Sequence, residues 1–164
     1  MRTTSLKKTL GLMMLALASV AVSLPTGALA QKKVCVNWSD QNNNSVSGGG
    51  TEDVYAGYIK DKLVATLSSS GFSVKTDGSF NNCNSNCNSW GANAFISIHS
   101  NAGGGHGTET WYGTYSGSQN WGSKVLAGLA AVLPYYNRGV KSSADGRYRV
   151  TRLAQQPSQL VETV

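Results

Sequence analysis

The sequence predicts an α/β fold: a single-domain sandwich with an open, mixed β-sheet flanked by helices. Short apolar runs with the composition of strands alternate with two long helical patterns. Loops rich in glycine, asparagine and serine separate these elements, and residues 31–164 are enough for one core. Alternation of this kind within the length of one domain is typical of a sheet covered by helices.

The first 30 residues have the layout of a secretory signal peptide. A basic start precedes an apolar run from Leu10 to Val22, and the small-residue pattern Ala28-Leu29-Ala30 closes the segment. The apolar run is short for a membrane span, and no second one follows it. We therefore expect residues 31–164 to form the mature domain, secreted and without a transmembrane segment.

The charge of the mature domain limits its partners. Removal of the leader takes away Arg2, Lys7 and Lys8 and no acidic residue, so the formal net charge falls from +6 to +3. This mild and scattered basicity suits a polyanionic surface such as a cell wall. It is too small to indicate nucleic acid binding.

Three cysteines, Cys35, Cys83 and Cys87, allow one disulfide in an exported chain and leave one thiol. A bond between Cys83 and Cys87 would close the loop between them, and pairing of either with Cys35 stays open. A structural zinc site built from these cysteines is disfavoured, because such sites need four ligands at tighter spacing.

The first half of the domain contains two predicted strands and one long helix. Lys33–Asn37 is the first strand, and a polar loop at residues 39–50 follows it. Thr51 is the predicted N-cap of a helix that stops at Gly71. The apolar residues that recur there at helical spacing are Val54, Tyr58, Ile59, Leu63, Val64 and Leu67. Phe72–Lys75 is the second strand, and residues 77–90 form a polar loop or a short helix.

The second half adds further strands and a second helix. Ala94–Ile98 is predicted as the third strand and Gly107–Tyr112 as the fourth. A helix from about Asn120 to Leu133 follows, because its apolar residues share one face, and Pro134 helps to end it. Residues 138–141 are the next candidate element, and Gln159–Val164 is the last strand. The sequence stops directly after this strand, so we expect a closing helix of the fold to be missing.

Three residues stand where an α/β fold usually carries its chemistry. His99 ends the third strand just before a glycine-rich loop, which makes it a candidate metal ligand or base. Glu52 lies in the first turn of the long helix, where the helix dipole favours an ionised carboxylate able to bind a cation. Glu162 ends the last apolar strand and is a candidate general base. The structural alternatives are a hydrogen-bonded loop histidine, a capping acid and a solvated terminal residue.

Other chemistries have little support in the sequence. The serines near the proposed site lack the Gly-x-Ser-x-Gly elbow of a serine nucleophile, and the glycine-rich loops lack the endings of nucleotide-binding loops. Asn101, two residues after His99, is a candidate for lining the cleft, binding substrate or donating a hydrogen bond to a developing oxyanion.

Four stretches in one order carry a resemblance to a known family: VCVNWSDQ at residues 34–41, GGTED at 49–53, FISIHSNAGGGHGTETWY at 95–112 and PSQLVE at 157–162. With them, the chain resembles the zinc-dependent N-acetylmuramoyl-L-alanine amidases, a group that includes bacterial cell-separation amidases and many phage endolysins. The third stretch is the most specific, and the resemblance spans nearly all of the mature domain.

The resemblance implies a single zinc ion, held by Glu52, by His99 and by one residue after the first strand. It places the catalytic glutamate at Glu162, which would take a proton from a zinc-bound water and pass it to the leaving amine. The implied substrate is peptidoglycan, and the implied bond joins N-acetylmuramic acid to L-alanine. We expect a monomer that acts outside the cell or at the cell wall.

The chain departs from the family pattern at the first zinc ligand. Where most members have a histidine, this sequence offers Asp40 or Gln41, and only one of them is expected to serve. Aspartate is a competent ligand, whereas a glutamine carbonyl is neutral and weak. His106 is a possible substitute, although a loop histidine is the simpler interpretation. A weakened metal site suggests a rival function, a non-catalytic peptidoglycan-binding module; a third is an adhesion or inhibitor domain with no site.

Overall fold

The structure is a computed structural model, and it describes residues 32–46, 49–101, 105–146 and 148–163. The predicted signal peptide at residues 1–30 lies outside the described residues. Within the described ranges, no helix combines the length and the apolar character needed to cross a membrane.

The predicted α/β architecture is confirmed as a mixed sheet flanked by helices. In the described residues the strands are β1 (Lys33–Trp38), β2 (Ser73–Thr76), β3 (Ala94–Ser100), β4 (Thr108–Tyr112), β5 (Asn137–Ser142) and β6 (Ser158–Thr163). The helices are α1 (Glu52–Ser69), α2 (Cys83–Ser89), α3 (Ser118–Ala130) and α4 (Arg149–Arg152).

The six strands of the described chain form one sheet in the order β2-β1-β3-β6-β4-β5. Strands β2, β1, β3 and β6 run parallel, while β4 runs antiparallel to β6 and parallel to β5. The end of β6 therefore lies between the end of β3 and the start of β4. Residues from all three strands meet at this edge.

Alternating side chains divide the core between the two faces of the sheet. On one face, α1 and α3 pack on Val34, Val36, Ile96 and Val161. On the other face, α2 and α4 pack on Cys35, Phe95, Trp111 and Leu160. Parallel strands covered on both sides need apolar residues at nearly every position, which explains why all residues of Ala94–Ile98 except Ser97 are apolar.

Helix α1 matches its prediction in extent but only partly in the face that it buries. Ala56, Ile59, Leu63 and Leu67 are buried against the sheet, whereas Val54 and Tyr58 are 47% and 57% exposed. Thr51 occupies the predicted N-cap position but makes no capping hydrogen bond through its side chain within the described residues. Its hydroxyl bonds to the Asp53 carboxylate instead, and the amide groups of residues 52 and 53 bond to carbonyls of the preceding loop.

The disulfide joins Cys35 to Cys87, so among the pairings that the sequence left open, Cys87 bonds to Cys35 and not to Cys83. The helix α2 places both of its cysteines on the side that faces the sheet, and Cys35 points from β1 into the same layer. The bond therefore links a central strand to a helix across 52 residues of sequence. Within the described chain Cys83 is a free, buried thiol, and burial is the main cause that raises its pKa to about 11.

Candidate active site

Glu52 and His99 come together at the edge where β3 ends. Glu52 is the first residue of α1 and is only 1% exposed. Its Oε1 lies 2.9 Å from Nδ1 of His99, and its Oε2 accepts a hydrogen bond from the Asn44 side chain. A carboxylate and an imidazole 47 residues apart in sequence are thus in direct contact.

Glu52 is ionised over the whole physiological pH range. Burial by itself raises the pKa of this carboxyl, but hydrogen bonds from His99, Ser39 and Asn44 together outweigh it and lower the pKa to about 2. Because a carboxylate only accepts hydrogen bonds, His99 donates through Nδ1, which leaves Nε2 as the acceptor of the neutral ring. The pair has the donor chemistry of two zinc ligands.

The side chains of Asp40 and Gln41 are exposed. The loop nevertheless lies next to Glu52, because the carbonyls of Gln41 and Asn44 accept the amide groups of residues 53 and 52. Among the described residues, no group of three His, Cys, Asp or Glu side chains is placed to hold a metal ion. Glu52 and His99 are therefore suited to be two of the three ligands that a zinc ion would need. Which of Asp40 and Gln41 would be the third stays a prediction. His106 is exposed in the loop before β4.

Glu162 lies on β6 directly beside His99, which is its register partner on β3. It is 6% exposed. The Tyr148 hydroxyl donates to its two carboxyl oxygens at 3.1 and 3.2 Å, and the indole N–H of Trp111 donates to its Oε2 at 3.0 Å. The structural alternative for Glu162 was a solvated residue near the chain terminus. Its burial and its three hydrogen bonds do not agree with that alternative.

Glu109 is a site residue that the sequence analysis missed. It faces Glu162 across the antiparallel pair of β4 and β6 and is 2% exposed. Its Oε2 accepts hydrogen bonds from Lys141 and, at 2.7 Å, from Nε of Arg138. Its Oε1 accepts the indole N–H of Trp111 at 2.9 Å. The one available signal was an acidic residue inside an otherwise buried strand, TETWY.

The two carboxyl groups have pKa values displaced in opposite directions. Burial raises the pKa of Glu162 to about 7, the hydrogen bond and negative charge of Glu109 add to that effect, and donation from Tyr148 and Trp111 opposes it. Burial also acts to raise the pKa of Glu109, but its bonds with Glu162, Lys141 and Arg138 prevail and lower it to about 2. Near neutral pH, Glu109 is therefore ionised while Glu162 can both take and release a proton.

Asn101 presents an unpartnered hydrogen-bond acceptor. Its side-chain Nδ2 donates to the Gly107 carbonyl at 2.7 Å, and this bond fixes the orientation of the amide. Within the described residues its Oδ1 is buried without a partner, as are the hydroxyls of Ser100 and Thr108 nearby. This arrangement favours contact of Oδ1 with an N–H group of a ligand, while donation to an oxyanion by the second N–H of the amide stays a prediction.

Trp111 and Trp121 are core residues, with 7% and 9% of their surface exposed. Trp111 packs among Cys87, Phe95 and Leu160 and its ring contacts Tyr148, with centroids 4.8 Å apart. Trp121 packs on the opposite face of the sheet. Their burial agrees with the usual role of large aromatic side chains.

Comparison with solved structures finds chains of the same fold. An N-acetylmuramoyl-L-alanine amidase from Clostridium difficile 630 aligns with a TM-score of 0.69 and 21% identity, over 80% of this chain and 78% of that one. The amidase AmiC2 of Nostoc punctiforme gives a TM-score of 0.66 and 24% identity, over 83% of this chain and 81% of that one. The amidase Ami1 from Mycobacterium smegmatis gives a TM-score of 0.66 and 20% identity, over 84% of this chain and 83% of that one.

Comparison with curated proteins gives no match. The profile of one protein family, described as N-acetylmuramoyl-L-alanine amidase (Amidase_3), matches residues 38–164. This range is well over half of the chain and contains Glu52, His99, Glu109 and Glu162. The chain therefore belongs to the N-acetylmuramoyl-L-alanine amidase family.

Proposed function

We propose that the chain is a secreted peptidoglycan hydrolase that cleaves the amide bond between N-acetylmuramic acid and the L-alanine of the stem peptide. Membership of the amidase family and the shared fold support a cell-wall hydrolase. The observation that carries the proposal is the position of Glu162: a buried carboxyl with a pKa near neutrality, beside the Glu52–His99 pair. Amide hydrolysis near neutral pH needs a group of this kind.

We propose that zinc is the cofactor and that Glu52 and His99 are two of its ligands. A zinc ion bound there would acidify a bound water and polarise the scissile carbonyl. Asp40 or Gln41 would supply the third ligand. Asp40 is the better candidate, because a carboxylate is a stronger zinc ligand than the neutral amide of Gln41 and because Asp40 directly follows Ser39, a residue that lies beside Glu52.

The chain's own residues account for the proton transfers. Glu162 takes a proton from the attacking water and then gives it to the nitrogen of the leaving L-alanine, and a pKa of about 7 suits both steps. Trp111 and Tyr148 hold its carboxyl group in place through three hydrogen bonds. Oδ1 of Asn101, which is buried without a partner in the described residues, accepts a hydrogen bond from an N–H group of the substrate.

The experiment is the digestion of purified peptidoglycan sacculi by the wild-type protein and by Glu162→Gln. Release of free L-alanine amino termini measures cleavage of the proposed bond, and loss of the general base should reduce the rate by about 10²–10⁴-fold. Asp61→Asn is the matched control, because it makes the same change from carboxylate to amide on an exposed part of α1. A Glu162→Gln protein that releases amino termini at the wild-type rate would exclude Glu162 as the base.

The rival function is a peptidoglycan-binding module that does not cut its ligand. One observation favours it: in the described part of the chain no third ligand stands with Glu52 and His99. Sedimentation with sacculi separates the two, because the rival predicts binding without release of amino termini, whether or not zinc is added.

A further inference from the structure

The proposed function gives a role to Glu162 but none to Glu109, although Glu109 is the more completely buried of the two carboxyl groups. A buried acid is costly unless its charge is compensated. Arg138 and Lys141 on the neighbouring strand β5 provide that compensation at Oε2. The side chains of Arg138 and Lys141 could be hydrated equally well if Glu109 were absent. The charge balance therefore explains how a buried Glu109 is tolerated, but it does not explain what Glu109 does.

The contact that distinguishes Glu109 is a shared donor. The indole N–H of Trp111 lies 2.9 Å from Oε1 of Glu109 and 3.0 Å from Oε2 of Glu162, so one hydrogen atom is directed at both carboxyl groups. The two carboxyl groups also belong to register partners, because Glu109 on β4 lies opposite Glu162 on β6. Arg138 and Lys141 hold Oε2 of Glu109 in place. Oε1 of Glu109 then orients the indole of Trp111, and the indole N–H in turn orients the carboxyl group of Glu162.

We infer that Glu109 is a positioning residue for Glu162 and acts through Trp111, an inference that rests on the proposed function. Its role is to hold the Glu162 carboxyl in the orientation from which a proton is taken and returned. The charged and titratable groups around Glu162 agree with this assignment: Glu109 from β4, Arg138 and Lys141 from β5 and Tyr148 from the start of α4, with His99 as the register partner on β3.

The test is a double-mutant cycle with Glu109→Gln and Trp111→Phe. Glutamine has the shape of glutamate, but one end of its amide is a donor, so it cannot accept from Trp111, Arg138 and Lys141 together. Trp111→Phe keeps a buried aromatic ring but removes the shared N–H together with part of the indole's volume. On a soluble glycan fragment carrying stem peptides, each variant should lower kcat about ten- to a hundredfold with KM within about twofold.

The double variant should lose no more activity than the worse single variant, because both changes break one chain of contacts. Trp121→Phe is the matched control, since its indole N–H has no partner among the described residues and its kcat should stay at the wild-type value. All rates are expressed per folded protein, measured by circular dichroism. If Glu109→Gln does not fold, Trp111→Phe alone still tests the path to Glu162.

Wild-type kcat in either single variant, or losses that multiply in the double variant, would overturn the inference. The same holds if KM rises while kcat is unchanged, because substrate binding would then be the affected property. Failure of the proposed function itself looks different: Glu162→Gln would then retain activity, whatever Glu109→Gln does.

Discussion

His99 and Glu162 are register partners on the parallel strands β3 and β6, so their side chains project from the same face of the sheet one strand apart. Each belongs to a pair of its own: His99 contacts the Glu52 carboxylate, and Glu162 lies opposite Glu109. The sheet thus brings the proposed zinc-binding pair and the proposed proton-transfer pair side by side.

The pH dependence of hydrolysis should follow the ionisation of Glu162. Burial and the charge of Glu109 raise its pKa to about 7, and a general base must be ionised to accept a proton. kcat/KM should therefore fall about tenfold per unit as the pH drops below about 7. In Glu109→Gln the negative neighbour is gone, so the midpoint of this fall should move to lower pH. A fall with the same midpoint in both proteins would contradict the assignment.

Zinc content should depend on His99. The wild-type protein, purified with zinc and dialysed, should hold about one ion per chain by mass spectrometry of the metal. His99→Ala should hold far less, because it removes one of the three predicted ligands and leaves Glu52 with only Asp40 or Gln41. His106→Ala is the control, since this histidine is exposed in its loop and should not change the zinc content. Equal zinc in His99→Ala and wild type would remove His99 from the ligand set.

The third ligand can be identified by placing a histidine, a strong zinc ligand, at each candidate position in turn. Asp40→His should strengthen zinc binding if Asp40 occupies the ligand position, and Gln41→His should strengthen it if Gln41 does. We expect zinc binding to strengthen in Asp40→His, because Ser39, the residue before Asp40, lies beside Glu52. Competition with a metal chelator measures the affinity, and a gain confined to Gln41→His would reverse the assignment.

The disulfide should make a large contribution to stability. Closing a loop between Cys35 and Cys87, 52 residues apart, restricts the unfolded chain, and its loss in the double change to alanine should cost about 2–4 kcal/mol. Cys83→Ala is the control, because Cys83 is buried in the same cluster but lies outside the bond. Urea unfolding measures the free energy of unfolding of the double variant and of Cys83→Ala. The pairing would be refuted if Cys83→Ala were as destabilised as the double variant.

The sequence was sufficient for those features that depend on local patterns. Apolar periodicity predicted α1 and β3, and the position of Glu52 and His99 at element ends predicted that they would lie at an edge of the sheet. The exposed side of α1 was harder to predict, because Val54 and Tyr58 are also four residues apart and only packing decides which stripe of a helix is buried.

Features that depend on strand order could not be predicted. Glu109 becomes a neighbour of Glu162 because β4 lies antiparallel to β6, with Glu109 opposite Glu162, and no local pattern reports that register. The disulfide is a similar case, since the partner of Cys87 is decided by how α2 lies over β1. Glu109 was missed and the partner of Cys87 was left open for the same reason: local sequence patterns do not show which strands and helices become neighbours.

The pair Glu52–His99 and the pair Glu109–Glu162 come from separate stretches of the chain. Glu52 and His99 belong to the segment before residue 102, whereas Glu109, Trp111, Arg138, Lys141 and Glu162 all follow residue 105. A substitution in the second stretch changes the surroundings of Glu162 without replacing the proposed zinc ligands Glu52 and His99, and the reverse holds for the first stretch. Under the proposed function, the working pH and the demand for metal are therefore encoded by different parts of the chain, although their side chains meet at one edge of the sheet.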